Sequence, residues 1–252
     1  MLNPNQVKNK KYYLFDNFPD LNLLCACSMR FSGNMSLTYG DTTRSAENRK
    51  DLLKDLGINY RDLVCTKQVH GSVARYIREI DRGKGALSYE SAIADTDALV
   101  TDKKDVPLSI FTADCLSIFL YDSRTHGIGL VHAGWRSSKD NIAAKTVKLM
   151  QEIFNTMPQD LYAGLGPAIR KCCYEIQGEF TGIFSPGHIA QRNGRYYLDL
   201  AGINKKQLLN SGVKDKNIFD SGICTACRNE EFFSYRKEGD GCGRMISVMM
   251  LK

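Results

Sequence analysis

No stretch of this sequence is apolar for long enough to cross a bilayer. The first residues carry lysines but no apolar run follows them, so no secretory leader is expected. Together these absences predict a cytoplasmic protein that does not use a membrane. Heptads, internal repeats and low-complexity tracts are missing as well. No strand runs into a glycine-rich turn and a helix in the way a dinucleotide site requires. The net charge of +6 is mild, and no basic stripe interleaved with aromatics is present, so nucleic acid is not an expected partner. Lys8, Lys10 and Lys11 form the densest positive group and read as a solvated face; a phosphate-bearing substrate is compatible with this charge. No linker interrupts the chain, and residues 1–252 are expected to form one domain. The nine cysteines are odd in number and several sit inside apparent strands, which predicts reduced thiols rather than a disulfide framework.

What is present centres on residues 106–136. Two apolar runs, 108–111 and 116–121, flank Thr112-Ala113-Asp114-Cys115. A third, 127–131, stops at His132-Ala133-Gly134-Trp135-Arg136. Such runs bounded by turn residues read as buried strands. Asp114, Cys115, His132 and Arg136 at their ends gain nothing for a core, and an unpartnered charge there costs several kcal/mol. A functional site explains them.

Around this corner the pattern predicts strands over 21–29, 63–69, 95–101, 161–164, 196–200, 218–224, 232–235 and 245–251, and an extended segment over 72–80. Thr42 or Thr43 is expected to cap a helix through Leu56, with Gly57 just past its end. Ser137 or Ser138 is expected to cap a second helix, whose Ala143, Val147, Met150 and Phe154 recur at helical spacing. A third helix is expected over 203–210. This irregular alternation predicts an α+β fold with mixed sheets.

The chain has only four histidines. His70 and His132 both end apolar runs and precede small residues, Gly71 and Ala133-Gly134, which leave room beside an imidazole. With Cys115 they make a three-ligand set for zinc, with a fourth position for water or substrate. Thiolate and imidazole also suit copper. The same atoms support a second reading, a cysteine hydrolase with Cys115 as nucleophile, His132 or His70 as base and Asp114 orienting the imidazole. A purely structural use of each residue is the third. Cys224 and Cys227, with Cys242, offer three further thiols, but a structural zinc site wants four and no second short pair completes it, so packing is expected of them. Cys172 and Cys173 are expected to pack likewise. Arg30, Asn48, Gln68, Arg136 and Arg236 are candidate substrate contacts, the arginines for a phosphate or carboxylate.

Lys67-Gln68-Val69-His70-Gly71, Thr112-Ala113-Asp114-Cys115 and His132-Ala133-Gly134-Trp135-Arg136 together resemble the YfiH-like laccase-domain family, also called polyphenol oxidoreductase and purine nucleoside phosphorylase. Further matching stretches, among them Glu47-Asn48-Arg49, Asp97-Ala98-Leu99-Val100-Thr101, Cys173-Tyr174-Glu175 and Phe233-Ser234-Tyr235-Arg236, extend the resemblance over nearly the whole chain. It implies a four-layer α/β/β/α sandwich with mixed sheets and zinc on His70, Cys115 and His132. It implies phosphorolysis of adenosine, inosine and methylthioadenosine by inorganic phosphate, with adenosine deamination beside it. Asp114 is then a candidate proton shuttle, and Arg136 and Arg30 are the candidate phosphate cations. A cysteine amidase acting on peptidoglycan precursors and a non-catalytic purine-binding protein are the alternatives. Two departures from the family pattern are a shorter connection after Ser32-Gly33-Asn34-Met35-Ser36 and Ser137 where glycine is usual. Four histidines are too few for a blue multicopper oxidase, so polyphenol oxidation ranks low.

Overall fold

The computed structural model describes residues 7, 8 and 11–252. Of the expected lysine face, Lys10 and the Lys8 side chain lie outside the described residues, while Lys11 pairs with Asp55 at 2.7 Å. In chain order the first elements are β1 (Val7–Lys8), β2 (Tyr12–Leu14), β3 (Leu23–Ser28), α1 (Thr42–Asp55), β4 (Ala74–Tyr76) and β5 (Ala98–Thr101). β6 (Leu108–Thr112), β7 (Leu116–Asp122), β8 (Ile128–Ala133), α2 (Trp135–Lys139), α3 (Ile142–Phe154) and β9 (Leu161–Leu165) follow. The last are β10 (Glu175–Ile176), β11 (Ile189–Arg192), β12 (Arg195–Leu198), α4 (Leu200–Asn210), β13 (Ile218–Asp220), α5 (Tyr235–Glu238) and β14 (Met245–Leu251).

One sheet runs β1-β2-β3-β14-β6 and a second runs β13-β9-β7-β8-β5-β4. Alternation along their strands sorts side chains onto two faces. Phe119, Tyr121, Ile128 and Leu130 of the second sheet meet Cys25, Cys27, Leu108, Ile110, Met245 and Met249 of the first in one core. The opposite parity of the second sheet, Ile118, Leu120 and Val131, packs under Ala143, Val147 and Met150 of α3 and Leu208 of α4. The outer face of the first sheet, Ala26, Ile246, Val248 and Met250, packs under Leu52, Leu53 and Leu56 of α1 and its end. Four layers, α/β/β/α, result, as the resemblance implies. Only the six-stranded sheet is mixed, with β4–β5 and β9–β13 parallel; the five-stranded sheet is antiparallel throughout. Among the described residues no helix is long and apolar enough to cross a membrane.

Several local expectations are corrected. Asp41, not a threonine, caps α1, its carboxylate accepting from Thr43 and Arg44 N–H at 3.0 and 3.1 Å; its charge also suits the helix N-terminus. Neither serine caps the helix that carries Ala143, Val147, Met150 and Phe154: α3 starts at Ile142 after Asn141, and both serines lie inside the short α2, where Ser137 Oγ accepts the Gly134 N–H at 2.8 Å. Residues 63–69 touch two different partners through single bridges, Val64 to Leu108 and Thr66 to Ile93, and so form no regular strand. Segment 72–80 pairs as a strand only at β4 and runs through an extended Arg78 into a short turn at Glu79–Asp81. Phe232 and Phe233 are core residues of a loop that leads into α5, not a strand.

Candidate metal centre and its cavity

Strand register assembles the site. β7 and β8 pair with Ser117 opposite His132, so Cys115, two residues before Ser117, lies diagonally beside His132 on the same face. That face is the inner one, shared with Phe119 and Leu130. On the other side of β8, Ala98 pairs with Val131, which sets Asp97 against His132. The His132 N–H donates to Asp97 carbonyl oxygen at 2.7 Å, and His132 Nδ1 lies 2.8 Å from Asp97 Oδ1. Asp97 is fully buried, and its carboxylate also accepts the backbone N–H groups of Val69, His70 and Gly71 at 3.3, 3.0 and 2.8 Å. The 69–71 turn is thus wound around Asp97, with His70 in the left-handed region at φ 57°. His70 arrives edge to face on His132, ring centroids 4.8 Å apart.

The ligand atoms of His70, Cys115 and His132 all lie within 4.8 Å of one another and could hold a metal ion. Gly134 makes this convergence fit: a Cβ there would stand 3.0 Å from His70 Cδ2 and 3.1 Å from Cys115 Sγ. Burial alone would push the Cys115 thiol up, but the His132 charge and hydrogen bond, joined by His70, outweigh it and bring it down to about 6. Burial likewise works against a charged His132, yet the Cys115 thiolate and Asp97 raise it to about 9. Burial also opposes the Asp97 carboxylate, whose pKa is nevertheless lowered by His132 and by the surrounding N–H groups.

A cavity of about 580 Å³ opens onto this centre. Its wall includes Arg49, Gln68, Trp135, Arg136, Tyr174 and Arg236. The Arg136 guanidinium stacks on Trp135, 4.4 Å from the ring centroid, and forms no side-chain hydrogen bond or ion pair among the described residues. Arg49 is 4% exposed, stacks over Phe111 and gives its Nε–H to Met35 carbonyl oxygen at 2.6 Å. No carboxylate faces it among the described residues. Arg236 reaches Glu175 carbonyl oxygen at 2.8 Å and lies over Tyr174. Gln68 lines the cavity, but its amide is engaged both ways by Phe111 of β6, at 2.8 Å to the carbonyl and 2.7 Å from the N–H.

Other expected site residues are placed differently. Asp114 lines the cavity, but its carboxylate accepts Thr225 Oγ1–H at 2.6 Å and the Arg236 N–H at 2.7 Å. It therefore shapes the wall, and the imidazole is oriented by Asp97 instead. Arg30 turns away to the C-terminal segment, donating to Asn229 carbonyl oxygen at 2.8 Å, pairing with Glu238 and stacking on Phe233. Asn48 donates to Asn34 carbonyl oxygen at 3.0 Å beneath Gly33, where any Cβ would strike it. Neither Arg30 nor Asn48 lines the cavity of the centre. Asp97 and Arg49 stand in the matching stretches of the sequence, yet their roles became readable only through register and burial.

A family model described as multi-copper polyphenol oxidoreductase laccase matches residues 27–252. The purine nucleoside phosphorylase YlmD of Geobacillus stearothermophilus is 35% identical over 225 residues, 86% of this chain and 82% of that protein. The adenosine deaminase RL5 of an unknown prokaryotic organism is 33% identical over 220 residues, 84% of each chain. The crystal structure of the hypothetical protein YfiH of Bacillus licheniformis superposes with a TM-score of 0.93 at 27% identity, covering 98% of both chains.

Proposed function

The chain belongs to the multi-copper polyphenol oxidoreductase laccase family, and we propose that it is a zinc-dependent purine nucleoside phosphorylase. Its substrates are then adenosine, inosine and S-methyl-5'-thioadenosine with inorganic phosphate, and adenosine deamination is a second activity. The observation that carries this reading is the convergence of His70, Cys115 and His132, with Asp97 on the far nitrogen of His132. A carboxylate behind a ligating imidazole fixes its tautomer and raises its basicity. Two imidazoles and one thiolate fit zinc; copper fits the same atoms, but four histidines cannot supply a multicopper cluster. When bound, zinc supplies a Lewis acid and a water acidified toward about 7.

The chain's own groups do the rest. Asp97 holds the His132 Nδ1 proton and so aims Nε2 inward. Arg136, Arg236 and the buried, carboxylate-free Arg49 bring positive charge to the cavity that a phosphate dianion would balance. Trp135 and Tyr174 present rings for a purine. The cavity is of a size that suits a small ligand. Nine free thiols suit a reducing cytoplasm.

Asp97–His132–Cys115 is also the order of a cysteine hydrolase triad, and this geometry favours that alternative as the second reading. His70 separates the two, since a triad needs no second imidazole beside its thiolate. Product analysis decides. Adenosine with phosphate should yield adenine and ribose 1-phosphate, and adenosine alone should yield inosine. Nucleoside binding with no product would replace the enzyme by a purine-binding protein.

A pH measurement follows from the pair. In metal-stripped protein the Cys115 thiolate should persist down to about pH 6, and the His132 imidazolium up to about pH 9. The thiolate's contribution to stability is lost as pH falls through the first value, the imidazolium's as pH rises through the second; both act together only between them. Iodoacetamide alkylation of Cys115, followed by mass spectrometry, should therefore rise with a midpoint near 6. A midpoint at the ordinary thiol value of 9.0 would contradict the pairing.

A further inference from the structure

We infer that Cys172, Cys173, Cys224 and Cys227 form a second metal site, a tetrathiolate centre that takes zinc. From sequence these thiols looked too few and too scattered. The fold joins them. The loop after β9 and the loop after β13 lie side by side through a bridge between Ala168 and Cys224. The Ala168 N–H donates to Ile223 carbonyl oxygen at 3.2 Å, and the Thr225 N–H to Ala168 carbonyl oxygen at 3.1 Å. Arg170 locks the same loops with an Nε–H bond to Ile223 carbonyl oxygen at 3.1 Å and an ion pair to Asp220 at 2.8 Å. A tight turn then brings the N–H groups of Cys173 and Tyr174 both onto Arg170 carbonyl oxygen at 2.8 Å. That turn presents the adjacent thiols of Cys172 and Cys173 to the other loop.

All four sulfurs lie within 4.8 Å of one another. Cys227 Sγ stands 3.5 Å from Cys172 Sγ and 3.3 Å from Cys173 Sγ. Four sulfurs at about 2.3 Å from one tetrahedral zinc are about 3.8 Å apart, so small adjustments suffice. A tetrahedral all-sulfur set selects zinc or iron–sulfur chemistry over magnesium, calcium or manganese. Cys224 and Cys227 are spaced as a short metal knuckle, and the N–H groups of Cys227 and Arg170 face the buried Cys224 sulfur. Cys172 and Cys227 are exposed, which gives an ion an entry path. Cys242 is no part of it; it packs near Glu238, 3.7 Å from Oε1. Binding would replace S–H bonds by S–Zn bonds and release the thiol protons to solvent.

The site would staple one wall of the cavity. Tyr174, next to Cys173, lines it, and Thr225, next to Cys224, holds Asp114. The staple is independent of the reaction assigned to the cavity.

Metal counting tests it without any activity assay. Wild-type protein incubated with zinc and freed of excess should hold two equivalents per chain. The exposed-thiol variant Cys172→Ser/Cys227→Ser should hold one, and His70→Ala should hold one. A second measurement needs no variant: native alkylation of zinc-loaded protein should spare all four cysteines, and a strong chelator should expose them together. A Cys172→Ser/Cys227→Ser protein that holds as much zinc as wild type, or alkylation of Cys172 and Cys227 in zinc-loaded protein at the rate of the stripped protein, would overturn the site. So would a disulfide among the four in freshly prepared protein, read from its mass.

Discussion

Cys115→Ala protein should hold no metal between His70 and His132 and should form ribose 1-phosphate from adenosine at least about a thousandfold more slowly than wild type. The thiolate is the one anionic member of the three, and without it two imidazoles remain around a divalent ion. Losing a Lewis acid forfeits several kcal/mol of transition-state stabilisation, and about 4 kcal/mol is close to three decades in rate. The informative partner is Cys115→Asp. A carboxylate keeps the charge and binds zinc at about 2.0–2.2 Å, but it is a poor substitute for a thiolate nucleophile. With Cys115 acting as ligand, Cys115→Asp should keep part of its metal and turnover, and added zinc should raise both. With Cys115 acting as nucleophile, the variant would be inert at every zinc concentration and wild type would carry an adduct at Cys115. A fully loaded, inert Cys115→Asp protein together with that adduct would overturn the metal reading.

Asp97→Asn should weaken metal binding and turnover by about 10- to 100-fold, the usual effect of losing a group behind a ligand. The substitution preserves volume, so the core should tolerate it. It removes the charge that raises His132 and leaves one amide oxygen for donors that now share two carboxylate oxygens. The 69–71 turn should loosen, and His70 with it. Competition with a calibrated chelator measures the affinity, and an unchanged value would remove Asp97 from the site.

His70 and His132 stood out because each ends an apolar run beside small residues, and Cys115 because it sits at the junction of two such runs; Gly134 shows why the smallness matters. Asp97 was not legible. It precedes a short strand in a segment that also contains Asp95, and only the pairing of β5 with β8 says which carboxylate faces His132. Arg30 and Asn48 lie outside the cavity because residue type says nothing of loop direction; carbonyl groups elsewhere engage both, and Glu238 pairs with Arg30. The helices of the outer layers were readable from end signals and helical spacing, but their arrangement in four layers came only from the resemblance. The 63–69 segment did not, since an apolar run that changes partner midway resembles a strand until its partners are known. The four-cysteine cluster is tertiary by nature, built from two loops about fifty residues apart.

The most direct test of the account is phosphorolysis measured against metal at this centre. Protein treated with a strong chelator, and then returned to zinc stepwise, is given adenosine and phosphate while ribose 1-phosphate is followed. The account predicts no product from stripped wild type, recovery as zinc is restored, and no recovery in His70→Ala. Full turnover by wild-type protein shown by elemental analysis to be free of metal would contradict it.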